Sequence, residues 1–554
     1  MSNRSQQYSR AYLTASSLLL SRLGPLLLLG FGVLGVGLAS ADPPPACQTP
    51  VVETASGPVC GAVRATAAGD QAEAFLGIPY AGSTAGAQRW QPPKPPTGWK
   101  ATRESVAFGA NCPQTPPSPD RKDTTGPASG ESEDCLFLNV WRPRNLAENA
   151  KLPVLVFIHG GAFVGGSGAD ALYDGTYLAA HHRAILVTLN YRLGVLGFLA
   201  TAGGGNFGLL DQQAALRWVK DNIARFGGDP SKVTVFGESA GGMSVGLHLL
   251  SMPASVPLFR AGIIESNFLG VPYQSLEEGA RVGEVFMRGL ECSDLDCLRR
   301  VDVSRLLAAQ YQLMSTQKSA FSGLKYTVLF GPVVDGRVVP RQPLATAALA
   351  GAQKPLMIGS NRDEMMIFLG GQSTDALAYS SEIARLYPES YTKIVNAYPP
   401  RKDLENWQLL AKLRSDQALH CASRHAVRHW HGPVYAYLFS HPPSFQVYGG
   451  EYCNNGKYVC HAAELPFVFH TAEALHGQFN PDEAKLSDTI LSQWVNFATA
   501  LDPSIPGDAG TPATAWPKAN GPQPRYMVYG PQTGAVTEDP LKQDCALWDQ
   551  IGYP

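Results

Sequence analysis

The sequence predicts an α/β protein: a large, mostly parallel central sheet with helices on both faces and helical cap insertions. Three observations predict it. Short apolar runs such as Pro153 to Ile158 lack the polar alternation of a half-solvated strand, so both their faces are buried. Segments with apolar residues at helical spacing separate these runs, and strand, helix, strand alternation gives parallel pairing. One β-branched run, Val233-Thr234-Val235-Phe236, stops at Gly237-Glu238-Ser239-Ala240-Gly241. That pattern reads as a strand turning sharply into a helix, with the serine held at the apex.

The elements follow in order. Arg4, Arg10 and Arg22 precede an apolar stretch from Leu23 to Leu38, and Ala39-Ser40-Ala41 supplies the small residues of a cleavage site. Residues 1 to 41 are therefore expected to be a secretory signal peptide, cut before Asp42, with export to the periplasm or outside the cell. A membrane anchor is the competing reading, but the run spans only 16 residues and contains Pro25. Cleavage leaves residues 42 to 554 as a single domain with 41 basic against 46 acidic residues. That balance attracts neither nucleic acid nor anionic lipid, and no stable membrane anchor is expected to remain.

Val51 to Val63 reads as a hairpin turning near Ser56-Gly57. Ala74 to Tyr80, Leu136 to Trp141, Pro153 to Ile158 and Ala184 to Leu189 read as strands, with a Pro-rich loop from Gln91 to Gly98 and an exposed loop from Cys112 to Glu131. Ala214, Ala215, Trp218, Val219 and Ile223 mark a helix between Asp211 and Phe226, ended by Gly227-Gly228-Asp229-Pro230. Ala261 to Ile264, Leu356 to Gly359 and Val434 to Phe439 are further strands. Leu276 to Leu290 and Leu486 to Ala500 are helices. Leu290 to Phe330 and Ser373 to Trp430 are helical in pattern and expected to cover the sheet as a lid layer. The basic stretch Arg424 to His431 is expected to be the solvated side of a helix.

Ten cysteines in an exported chain imply disulfides, and spacing favours Cys47 with Cys60, Cys292 with Cys297 and Cys453 with Cys460. A zinc site is disfavoured because no pair has CxxC spacing. Gly30 to Gly35 fits G-x-G-x-x-G but lies inside the signal and follows no strand, so a dinucleotide site is rejected. No cofactor and no metal is expected.

A nucleophilic Ser239 needs a base, an orienting acid and donors for an oxyanion. His159-Gly160-Gly161-Ala162-Phe163 follows a buried strand, and a glycine-rich turn there leaves backbone N–H groups free; with Ala240 it offers three donors at Gly161, Ala162 and Ala240. His461, after the last long apolar strand, is the best placed base, with His441 and His470 as rivals. An acid is expected on the loop after Leu356 to Gly359, where the residues alone do not separate Asp363 from Glu364.

These pieces, with Phe75 to Tyr80, Ser132 to Asn139, Asn190-Tyr191-Arg192 and His461 to Phe469, resemble the type-B carboxylesterase and cholinesterase family of α/β-hydrolases across nearly all of residues 47 to 550. The resemblance implies an α/β-hydrolase fold and a serine esterase with Ser239 as nucleophile, Glu364 as acid and His461 as base. It implies oxyanion donors at Gly161, Ala162 and Ala240, and two further disulfides, Cys112 with Cys135 and Cys421 with Cys545. Phe163 and Tyr273 are the expected substrate-pocket residues. Met365 and Cys460 stand where the family commonly has glycine, and both are expected to reshape the pocket wall. The Cys112 to Cys135 loop has no tryptophan, which argues against choline esters. The expected substrate is a small-molecule or polymeric carboxylic ester. The same machinery also fits a specialised hydrolase of a polyester, phthalate-type diester, toxin ester or amide, and the fold alone fits a non-catalytic binding domain.

Overall fold

The computed structural model describes residues 47–553 apart from 115–129, 321–327, 346–348, 350–352, 372–373, 403–404, 449, 455, 505–514, 522 and 531–533. The expected signal and most of the expected Cys112 to Glu131 loop lie outside the described residues.

Among the described residues, eleven strands form the main sheet. Numbered within that sheet they are β1 Ala62–Ala65, β2 Gln71–Pro79, β3 Phe137–Pro143, β4 Leu152–Ile158, β5 Ile185–Leu189, β6 Gly228–Glu238, β7 Ala261–Glu265, β8 Leu356–Asn361, β9 Val434–Phe439, β10 Arg525–Tyr529 and β11 Ala535–Glu538. Their spatial order is β11-β10-β9-β8-β7-β6-β4-β5-β3-β2-β1. From β5 to β10 every neighbour pair is parallel. The pairs β1 with β2, β2 with β3, β3 with β5 and β10 with β11 are antiparallel and form the two margins.

The apolar runs are strands because both of their faces are covered. Val154, Val156 and Ile158 of β4 enter one core while Leu155 and Phe157 enter another. Helices α1 (Phe207–Asn222) and α2 (Ala240–Leu250) feed the first core. Helix α3 (Leu276–Gly289) packs over a third cluster through Val282 and Phe286, and α4 (Pro481–Ala500) feeds the second core through Leu486, Ile490 and Trp494. Each fully buried aliphatic side chain contributes roughly 1.5–3 kcal/mol, and this two-sided arrangement is what holds the parallel strands in one register.

The hairpin lies where expected, with Val52 opposite Val59. Helix α4 starts earlier than its apolar spacing suggests, because Asn480 and Glu483 form a reciprocal capping box ahead of it. The segments expected to be helical carry helices at 295–299, 303–320, 376–386, 391–397, 406–415 and 421–428. All five disulfides are present, with Cα separations of 5.0 to 5.7 Å.

One expectation is corrected. Arg424 is not on a solvated face: its guanidinium is buried and bonds Asp539 Oδ2 at 2.6 Å and Asp549 Oδ2 at 2.8 Å. These acids arrive from the C-terminal segment, which Cys421 and Cys545 fasten to the same helix.

Candidate active site

Three strand ends of the parallel sheet build the site, at the carboxyl edge where such sheets hold ligands. The first is the end of β6. Ser239 follows it with φ 58° and ψ −122°, a backbone strain that costs about 1–3 kcal/mol and persists only where the surroundings enforce it. The enforcement is steric. A Cβ on Gly241 would sit 1.9 Å from the carbonyl oxygen of Ile158, so only glycine lets α2 start this close to β4. Ala240 opens α2, and its amide has no partner one turn earlier in the helix.

The end of β4 supplies a second strained turn. Gly161, Ala162 and Phe163 all have positive φ, at 105°, 54° and 60°. Val164 and Gly165 donate their amides to Gly161 O, each at 3.0 Å, while the described residues supply no acceptor to the amides of Gly161 and Ala162. The turn is braced at His159, whose ring stacks on Tyr191 and whose carbonyl accepts the Tyr191 hydroxyl at 3.0 Å. The turn lies against the serine, since a Cβ on Gly160 would sit 3.1 Å from the Cβ of Ser239, and amides without an acceptor are the kind of donor that suits a developing negative charge.

The acid comes from the loop after β8, and the geometry separates the two neighbouring carboxylates. Glu364 is fully buried, and its Oε2 lies 2.5 Å from His461 Nδ1. Its Oε1 accepts from Ser266 Oγ and from the Asn361 amide, both at 2.7 Å. Asp363 turns the other way and accepts from the Val459 amide and from Arg362, which ties the loop to the segment carrying His461. The rival histidines are engaged elsewhere: His441 faces Glu483 and His470 bonds Ser487.

His461 Nε2 lies 3.0 Å from Glu238 Oε1, an ion-pair contact without hydrogen-bond geometry, and no hydrogen bond joins Ser239 Oγ to His461 among the described residues. Burial lowers the His461 pKa, but the charges of Glu238 and Glu364 outweigh it and raise the ring well above the ordinary histidine range. Burial tends to raise the Glu364 pKa, yet the imidazolium and the donors around the carboxylate hold it below its usual value.

Glu238, Glu265, Ser266, Asn361 and Glu464 are site residues that reading the sequence missed. Glu464 bonds Asn361 Nδ2 and lies 3.3 Å from Ser266 Oγ; burial, then the neighbouring carboxylates, push its pKa well up. Glu265 accepts from Trp494 Nε1 at 2.6 Å, and burial pushes its pKa up to about 8. The available signal was a carboxylate directly at the end of two buried strands, Ile264-Glu265 and Gly237-Glu238, where desolvation makes a charge costly.

Phe163 is fully buried, edge-on to Phe198, and Tyr273 is buried with its backbone bonded to the Gln342 side chain. The rings beside the candidate base are instead Phe268 and Phe368, each with its centroid 5.4 Å from that of His461. Phe368 is 48% exposed. Met365 and Cys460 act as pins: the Met365 amide donates to Ser415 Oγ at 3.0 Å, and the Cys460 carbonyl accepts from Asn361 Nδ2 at 3.0 Å.

Residues 48–548 match the model of a family described as the carboxylesterase family. The chain is 36% identical over 469 residues to the para-nitrobenzyl esterase of Bacillus subtilis (strain 168), covering 80% of this chain and 88% of that protein. It is 33% identical over 488 residues to the fumonisin B1 esterase of Sphingopyxis macrogoltabida, covering 84% of each. Among solved structures, a thermophilic PNB esterase superposes with a TM-score of 0.76 at 32% identity, over 90% of this chain and 99% of that one.

Proposed function

Because the chain belongs to the carboxylesterase family and is a serine hydrolase of carboxylic esters, we propose that Ser239 is its nucleophile, His461 the general base and Glu364 the acid that orients the base. The observation that carries this reading is the 2.5 Å contact of Glu364 with His461 Nδ1, which leaves Nε2 as the proton-accepting nitrogen. Ser239 Oγ attacks the ester carbonyl carbon as Nε2 takes its proton. Bonds of this kind are often long before substrate binds and tighten in the reacting complex. The oxyanion forms at the amides of Gly161, Ala162 and Ala240, and losing one such donor costs about 3 kcal/mol of transition-state stabilisation. Collapse expels the alcohol, which takes the proton from His461. Water, deprotonated by the same nitrogen, then attacks the acyl-enzyme; the acyl–Oγ bond breaks, Ser239 Oγ takes the proton back from His461, and the acid is released.

Phe268 and Phe368 beside the base support an ester with an apolar or aryl group next to the scissile bond, and this is the substrate class we propose. A series of p-nitrophenyl and aryl esters against wild type and Ser239→Ala, with mass-spectrometric mapping of an organophosphonate adduct, tests it. The expected result is turnover abolished in the variant and the tag on Ser239. A tag elsewhere sinks the assignment, and a preference for short polar acyl groups sinks the substrate class.

Export through a signal ending at Ala41, leaving residues 42–554 as one domain, is the proposed location. Five disulfides support an oxidising compartment. N-terminal sequencing of the mature protein should begin at Asp42, and a retained Met1 would overturn it.

A further inference from the structure

We propose that Gln114 is a positioning residue that aims the oxyanion turn, an inference that rests on reading Gly161 and Ala162 as the oxyanion donors. Gln114 lies two residues past Cys112, at the start of the loop that Cys112 and Cys135 close. Its side-chain amide pairs with the backbone of Gly166 in both directions. Gly166 N–H donates to Gln114 Oε1 at 2.9 Å, and Gln114 Nε2 donates to Gly166 O at 3.1 Å. The same Nε2 donates to Cys112 O at 3.1 Å, which fixes the side chain to the disulfide. A primary amide is the side chain suited to this task, because it offers an acceptor and two donors together. Gln114 thus holds Gly166 through both polar atoms of its side-chain amide.

The link from Gly166 to the donors is the planarity of the peptide unit. Gly161 O accepts from Val164 N and Gly165 N, so the position of residues 164–166 fixes where that oxygen points. Gly161 O and Ala162 N–H belong to one trans peptide plane and point in opposite directions. Holding Gly161 O inward therefore turns Ala162 N–H outward. The turn needs this hold, because Ala162 and Phe163 are consecutive non-glycine residues with positive φ, a conformation they adopt only when the surroundings impose it. Its first residue is braced by Tyr191 and its middle by Gly194 N–H, which donates to Phe163 O at 2.7 Å. Its far end is braced by Gln114. A second tie, Ser167 Oγ to Asn111 Oδ1 at 2.6 Å, sews the following residue to the same segment.

The test compares wild type, Gln114→Met and Gln114→Glu. Met keeps the length and loses all three bonds; Glu keeps the acceptor for Gly166 N–H and loses both donations. Three quantities are measured: kcat, KM, and the preference for a trifluoromethyl ketone over the matching methyl ketone as inhibitor. The fluorinated ketone binds as a tetrahedral adduct that needs the oxyanion donors, so its preference reports their aim, and a general loss of fold does not mimic that selective change. For Gln114→Met, kcat should fall by about tenfold to a hundredfold with KM nearly unchanged, and the inhibitor preference should fall by the same factor. Gln114→Glu should be intermediate and carries the test if the Met variant does not fold. Wild-type preference retained in folded variants, or a rise in KM alone, overturns the proposal. A wild type with no preference for the fluorinated ketone instead overturns the oxyanion reading beneath it.

Discussion

Glu238 Oε1 lies 3.0 Å from His461 Nε2, across the imidazole from the Glu364 carboxylate that holds Nδ1. The ring nitrogen assigned to receive the serine proton therefore faces a carboxylate carried by the residue just before that serine. A general base works only unprotonated, and the two carboxylates overcome burial to raise the pKa of His461. The acid limb of kcat/KM should accordingly lie above the ordinary histidine range. Glu238→Gln removes one of the two charges, so the limb should move to lower pH. A profile that does not move would show that Glu238 is electrostatically silent.

Glu364→Gln should depress kcat by about three to four orders of magnitude, because a neutral amide neither stabilises the imidazolium nor enforces its tautomer. Asp363→Asn is the contrast. Asn keeps an acceptor for the Val459 amide, and the partly exposed ion pair with Arg362 is worth at most about 1 kcal/mol. Its kcat should stay within a few-fold of wild type. The reverse pattern in steady-state kinetics would move the acid to Asp363.

The fold was legible wherever a strand is buried on both faces, as at β4 and β9, since burial writes an unbroken apolar run. The C-terminal margin was not, although the opposite margin was, in the apolar runs of β2 and β3. Strands β10 and β11 carry Arg525, Thr537 and Glu538 among their apolar residues, and nothing local marks them as strands. Ser239 and its turn were readable because each is a local backbone demand for glycine. The acids behind His461 were not, because register brings them together: Glu265 sits opposite Glu238 on one side and Gly359 on the other. A sequence contains no statement of which strand ends meet. Arg424 misled for the same reason, its carboxylate partners lying more than a hundred residues further on.

Glu265 makes a stability prediction. Burial, with a smaller push from the Glu238 charge, raises its pKa to about 8 against the Trp494 hydrogen bond, so the folded protein keeps a proton that the unfolded chain releases above about pH 4.3. The folded state binds more protons in that window, and this group's contribution to stability is lost as pH rises from about 4 to 8. Glu265→Gln removes the loss while keeping an acceptor for Trp494. The melting temperature of the variant relative to wild type should rise between about pH 5 and 8.5, a gain on the order of a few kcal/mol at the alkaline end. A difference independent of pH would mean that Glu265 does not titrate in this window.

Arg424 gives the last prediction, which concerns the C-terminal clasp rather than the chemistry. Its side chain is 8% exposed and that of Asp539 is 7%, so Arg424→Met strands a desolvated carboxylate at a cost of about 3–5 kcal/mol. Asp549 suffers less, being more exposed and still within 3.2 Å of Arg428. The urea midpoint should fall accordingly. Arg424→Met with Asp539→Asn should recover part of the loss, since no buried charge is then left without its cation. Per folded molecule, kcat should be unchanged in both variants, because these residues bond the C-terminal segment and not the loops that carry Glu364 and His461. An unmoved midpoint in the single variant would mean that the carboxylates are solvated after all and that this helix face behaves as its basic periodicity suggests.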